Sequence, residues 1–308
     1  METNKHWLGF GLSLTTAFLW GILPIFIKLC LQTMDAMTIT WYRFVVAGLF
    51  VFLVLWRKNA LPKVYSLALR HKIWVSVASI LLVLNYVSNV VGLSYLSPET
   101  TQVIMQVAPF LLMLGGVVFF GERLKLIEII GTVLILLGLA LFFSDKLERL
   151  FASLNHYSLG VIIIIFSATA WAGYALIQKP LLKVLSARQL TLCIYVIGAL
   201  VLLPFTHLAQ LNALSVVQLV ALLFCCINTI VAYGAFTEAM HVWQASKVSA
   251  VICLAPLFTF VSMTIAVYYF PDYIQASELD VWAYVGAGIV VCGSALTSLG
   301  RAKGIAPK

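Results

Sequence analysis

Ten apolar runs take up nearly the whole of this 308-residue chain, at residues 8–31, 37–56, 73–95, 99–120, 124–143, 158–180, 187–208, 214–240, 246–270 and 279–300. A helix needs about 20 such residues to cross the hydrocarbon core of a bilayer. No connection between the runs is long enough to form a second, soluble domain. Lipid is also what the composition demands: 63% of residues are apolar and 10% charged, against about 25% charged in a soluble domain. The first run follows Lys5 but outlasts the apolar part of a secretory signal and has no small-x-small cleavage site, so it is expected to be retained.

The net charge of +8 would raise nucleic acid as a partner in a soluble protein, but its placement answers a different question. With the N-terminus inside, fifteen basic residues fall on the cytoplasmic side (Lys5, Arg57, Lys58, Lys63, Arg70, Lys72, Arg123, Lys125, Lys179, Lys183, Arg188, Lys247, Arg301, Lys303 and Lys308). Only Lys146 and Arg149 fall opposite. This is the positive-inside pattern, and it predicts N-in, C-in. Trp7, Trp41, Trp56, Trp74 and Trp282 lie toward span ends, as interfacial anchors do.

The halves repeat. Trp20 precedes Lys28 by eight residues, as Trp171 precedes Lys179. Ala108-Pro109 in the fourth span matches Ala255-Pro256 in the ninth, the same offset pairs Tyr86 with Tyr233, and Gly131 and Gly138 match Gly286 and Gly293. Five spans per half is an odd number, so the second copy enters the membrane from the opposite side. The expected fold is an all-α integral membrane protein of ten transmembrane helices in two inverted five-helix repeats, 1–147 and 148–308. Inverted repeats are a recurrent carrier design, since exchanging the conformations of the halves opens one central site to either side.

Trp20-Gly21 and Pro24, the run Phe119-Phe120-Gly121-Glu122-Arg123-Leu124, the Gly131/Gly138 helix and the stretch Ala245-Ser246 to Ala255-Pro256 together resemble the EamA-type branch of the drug/metabolite transporter superfamily. The resemblance spans both halves. It implies ten helices and export or exchange of small metabolites, often amino acids. The second half has no Gly-Glu-Arg-Leu run, and Tyr268 to Asp280, with Glu278, stands in its place.

Polar groups in mid-membrane are costly unless they face a cavity or a partner, which makes them pathway candidates. In the fourth span Gln102, Gln106 and Pro109 share a face, and Pro109 frees the Met105 carbonyl. They form either a polar site or a kink tied to a neighbouring helix, and Pro256 repeats the kink. Asn85, Tyr86 and Asn89 in the third span and Asn228 and Tyr233 in the eighth would hydrogen-bond a neutral or zwitterionic solute, or else glue helices together. Trp20 and the stripe Trp171, Tyr174 and Gln178 would stack a flat or cationic solute, or pack the core.

Arg43, two turns into the second span, would pair with a substrate carboxylate or with Asp35. Lys28 would snorkel to the outer interface. Glu238 would pair with Lys247 or, if buried, carry a coupling proton. Glu99, at a helix start, is accounted for by the helix dipole. The glycine pairs mark seams within the bundle or at a homodimer contact.

All six cysteines lie in apolar runs without CxxC or metal-ligand spacing, so neither a metal nor another cofactor is expected. The five histidines are scattered at or beyond span ends, and no HExxH, GxSxG or phosphate-binding glycine loop occurs. An intramembrane enzyme and a nucleotide-driven pump are thereby disfavoured. A channel would show charge rings or a filter loop, and a receptor a soluble domain. The expectation is a secondary transporter in a bacterial-type inner (plasma) membrane, with the bilayer and a small-molecule solute as partners. Two solute classes fit: an amino acid or related compound, held by Arg43 and the Gln/Asn set, and a lipophilic cation, held by Trp20, Trp171, Tyr174 and Glu238.

Overall fold

The computed structural model describes residues 2–120, 125–146, 155–243 and 245–302. These form helices α1 (Glu2–Cys30), α2 (Ala36–Arg57), α3 (Leu69–Tyr95), α4 (Pro98–Met105), α5 (Val107–Phe120), α6 (Leu126–Phe142), α7 (His156–Leu181), α8 (Ala187–Leu202), α9 (Val216–Val242), α10 (Ala245–Ile252), α11 (Ala255–Tyr269) and α12 (Val281–Ala302). No strand occurs among the described residues. Among the described residues eight stretches are long and apolar enough to cross a membrane, taking α4 with α5 and α10 with α11 as one stretch each; Leu126–Phe142 and Val281–Thr297 are shorter apolar helices. The Gly121 to Leu124 run and the boundary between residues 147 and 148 lie outside the described residues.

Local chemistry sets the helix starts. Asp35, Ser97, Asn155, Ser186 and Ser215 each accept the N–H of the residue three positions on, which satisfies a donor that the first turn leaves without a partner. Polarity is inside-out. Leu49, Phe50, Leu136, Leu137 and Leu223 are exposed, whereas Thr16, Thr38, Ser79, Ser167 and Thr229 are buried. The buried Ser79 and Thr229 hydroxyls donate to the carbonyls of Val75 and Cys225 one turn back, so they need no water.

The fourth and ninth apolar runs are each broken near the expected proline. The break falls at Gln106, three residues before Pro109, and at Cys253-Leu254, two before Pro256. A proline's missing N–H and its ring disturb the turn that precedes it, so the chain yields there.

Helix contacts exchange when the halves are swapped: α1 packs on α9 and α3 on α7, while α2 meets α8 and α6 meets α12. Individual contacts follow. The offsets that pair Trp20 with Trp171 and Tyr86 with Tyr233 map Thr16 onto Ser167 and Ala232 onto Asn85. The Thr16 hydroxyl reaches the Ala232 carbonyl at 3.3 Å, and the Ser167 hydroxyl the Asn85 carbonyl at 2.9 Å. Likewise Gly9 lies against Trp243, and Gly160 against Leu96.

In the α3–α7 copy the Asn85 amide also donates to the Ser167 carbonyl and hydroxyl, at 3.0 and 2.9 Å. Asn85 is therefore a clasp between helices. Asn85→Ala is expected to cost about 1 kcal/mol, read as a lower melting temperature in detergent, and a Ser167→Ala cycle should recover most of that as coupling between the two side chains.

Candidate substrate-binding site

The middle of α1 is a junction created by Pro24. With no N–H at Pro24, the Trp20 carbonyl four residues earlier loses its helical donor. The Gln102 amide supplies one from α4 at 2.7 Å. The carbonyls on either side are also taken, Leu19 by the Asn228 amide of α9 and Gly21 by the Thr259 hydroxyl of α11, each at 2.7 Å. The two broken runs meet as well. Leu257 bonds back to Leu254 rather than to Cys253, and the Gln106 amide donates to the Cys253 carbonyl at 3.2 Å.

Beside this junction lies an aromatic cage built from matching residues of the two halves. Tyr86 and Tyr233 face each other with centroids 6.3 Å apart and planes at 29°. Phe44 and Tyr195 occupy equivalent places, nine residues beyond the caps Asp35 and Ser186, and meet at 5.4 Å. Trp20 closes on Tyr233 at 5.4 Å, and Tyr174 and Trp171 belong to the same cluster. Arg43 breaks the symmetry, since its equivalent in α8 is Ile194.

Arg43 is 4% exposed. Its guanidinium lies 4.7 Å from the centre of the Tyr86 ring, and its Nε donates to the Thr229 hydroxyl at 3.1 Å. Among the described residues no carboxylate lies within ion-pair distance of it. Asp35 is engaged elsewhere: it accepts from the backbone and hydroxyl of Thr38 and lies 3.1 Å from His207 Nδ1. Partial burial pushes the Asp35 carboxyl up, but those bonds and one involving Gln210 outweigh burial and hold it below the usual carboxylate range. Near Arg43, the Tyr86 hydroxyl is buried without a hydrogen bond of acceptable geometry, although the Tyr195 and Tyr233 hydroxyls are close. The Asn228 side-chain oxygen Oδ1, one residue from Thr229, is also buried and unpaired.

The EamA-like transporter family matches the chain twice, over residues 7–144 and 158–299. The chain belongs to that family. It is similar to an uncharacterized transporter of Haemophilus influenzae, 37% identical over 96% of this chain and 95% of that one, and to the uncharacterized inner membrane transporter YhbE of Escherichia coli K12, 36% identical over 96% and 92%. A solved crystal structure, 15% identical, covers 99% of this chain and 100% of its own with a TM-score of 0.64, a likeness of fold.

In this EamA-like transporter the sequence candidates separate into two groups. Arg43, Tyr86, Tyr174, Tyr233, Trp20 and Trp171 come together. Gln102, Gln106, Asn85 and the Asn228 amide group spend their donors on neighbouring segments, and the Asn89 and Gln178 side chains are half-buried with no hydrogen bond among the described residues. Glu238 is exposed near the end of α9, and the side chain of Lys247 lies outside the described residues. Lys28 is half-buried. It donates to the carbonyls of Leu93 and Leu96 at 2.5 and 3.0 Å, where the end of α3 leaves acceptors free and carries partial negative charge. Phe44, Tyr195 and Thr229 are not among the residues that sequence reasoning singles out. Phe44 and Tyr195 carry the same signal as Tyr86, an aromatic ring in mid-span.

Proposed function

We propose that the chain is a secondary transporter of the inner membrane that exports or exchanges a small organic metabolite, an amino acid or related compound, by alternating access around the Arg43–Tyr86–Tyr233 cage. The observation that carries this reading is the cage itself, formed where equivalent residues of the two halves meet. On this reading the eight long apolar stretches and the two shorter helices make ten spans, residues 1–147 and 148–308 form inverted repeats, and both termini lie inside. The inner-membrane placement draws support from what the Escherichia coli relative is called. The glycine seam joins α6 to α12 within one chain, so that face needs no second subunit.

A buried guanidinium beside the rings disfavours a lipophilic cation. It favours a solute with a carboxylate, and Trp20 and Tyr233 would bracket the organic part. The test is counterflow in proteoliposomes with radiolabelled amino acids and organic cations. Saturable counterflow of an amino acid, reduced at least about tenfold by Trp20→Ala or Tyr233→Ala in protein that keeps its melting temperature, is expected. Counterflow of cations alone, or of amino acids unchanged by both substitutions, would sink the assignment.

A further inference from the structure

We infer that the solute travels as an organic anion of net charge −1 whose carboxylate sits on Arg43, and that the carrier changes sides only with this anion aboard, exchanging one anion for another. The inference rests on the alternating-access reading above and adds the charge of the cargo and the mode of coupling.

The argument is a charge balance. Arg43 is buried, and a guanidinium stays protonated in any protein environment. The repeat does not balance it, because Ile194 occupies the equivalent place. Nor, among the described residues, do the acidic residues of the spans, all of which lie at span ends. Glu99, in the first turn of α4, accepts from Ser277 at 2.8 Å; Glu128, in the first turn of α6, accepts the Lys125 N–H at 2.8 Å; Glu238 is exposed near the end of α9. Lys28, the other cation within a span, is held by the carbonyl end of α3, whereas among the described residues Arg43 donates to no backbone carbonyl.

The guanidinium contacts the Tyr86 ring and the Thr229 hydroxyl, with Tyr195, Tyr233 and the Cys225 and Cys226 thiols nearby. A ring face attracts a cation far more weakly than a carboxylate does in a dry site. A monoanion makes the site neutral, whereas a zwitterion or a neutral solute leaves the positive charge uncancelled. Alternating access takes the site through a conformation closed to both sides. With an anion bound, that conformation carries a neutral pair; without one, it holds an isolated charge in a low-dielectric interior, where burial is most costly. The loaded carrier therefore crosses readily and the empty one slowly, which is the kinetic definition of an exchanger. Swapping one monoanion for another moves no net charge.

The experiment uses full-length protein in liposomes loaded with two labelled probe sets. One holds monoanions: glutamate, N-acetylated amino acids and 2-oxo acids. The other holds zwitterionic neutral amino acids. Efflux is followed into buffer alone, into buffer with the unlabelled monoanions, and into buffer with the zwitterions, with and without a potassium–valinomycin potential. At least one monoanion is expected to leave about tenfold or more faster when monoanions are outside, at near the protein-free rate into buffer or zwitterions, and at a rate indifferent to the potential. Arg43→Lys should retain exchange and Arg43→Gln should support it only at solute concentrations at least about thirtyfold higher. Equal efflux with and without outside solute, or zwitterions exchanging as fast as monoanions, overturns the inference and leaves the carrier standing. Movement of no probe in either set overturns both.

Discussion

Valine at Gly286 is expected to abolish the folded protein, while alanine two residues on, at Gly288, leaves it intact. A Cβ at Gly286 would stand 2.5 Å from the Phe142 nitrogen and 2.6 Å from the Gly138 carbonyl oxygen, and one at Gly138 would stand 2.7 Å from the Val290 nitrogen. These neighbours are backbone atoms, so no rotamer change relieves the clash and α6 and α12 must separate. Gly131 and Gly293 repeat the arrangement two turns away, where a Cβ on either would stand 2.6 Å from the other's carbonyl oxygen. The seam thus depends on four missing side chains, as close helix pairs in lipid do where packing rather than hydrophobicity holds them together. Overpacking a tight core costs about 1–3 kcal/mol and sometimes more, and a branched side chain against two backbones belongs at the upper end. At Gly288 a methyl group would meet nothing within 4 Å, which makes that position the internal control. Size-exclusion profiles and melting temperatures in detergent decide it: a monodisperse Gly286→Val protein melting with the parent would show that the seam is dispensable.

What the sequence made legible, and what it did not, follows from the kind of interaction involved. Span positions depend only on hydropathy and length, and the match of Tyr86 to Tyr233 only on a constant offset between halves; that pair meets across the bundle, whereas the matched glycines cross, with Gly138 meeting Gly286 and Gly131 meeting Gly293. The amides were harder to read. Gln102 and Gln106 share a helix face, as their spacing requires, but their partners are carbonyls on α1 and between α10 and α11, and helix periodicity says nothing about which neighbour comes opposite. One cue was present: Pro24 deprives the Trp20 carbonyl of its donor, so some side chain had to supply one. A second lay in Asp35 and Thr38, whose spacing is that of a helix cap. Recognising it would have removed Asp35 as the partner of Arg43.

Arg43→Gln is expected to move function and stability in opposite directions. A residue that holds the bundle together loses both when it is replaced. Arg43 is buried, bonded to Thr229 and stacked on Tyr86, but has no carboxylate beside it among the described residues. Burying a charge costs several kcal/mol, and against this stand one hydrogen bond of about 1.5–3 kcal/mol and one ring contact of about 0.5–2 kcal/mol, with no carboxylate to cancel the charge. Glutamine keeps a donor within reach of Thr229 and removes the charge, so the melting temperature of the ligand-free protein should hold or rise. Removing one member of a buried charge pair costs about 2–5 kcal/mol in binding, so the half-saturation concentration for counterflow should rise at least about thirtyfold, the lower end of that range. Arg43→Lys, which restores the charge without the two-pronged geometry, should fall between the two. If Arg43→Gln instead melted well below the parent and transported with unchanged affinity, Arg43 would be a strut and the site would have to be sought elsewhere in the bundle.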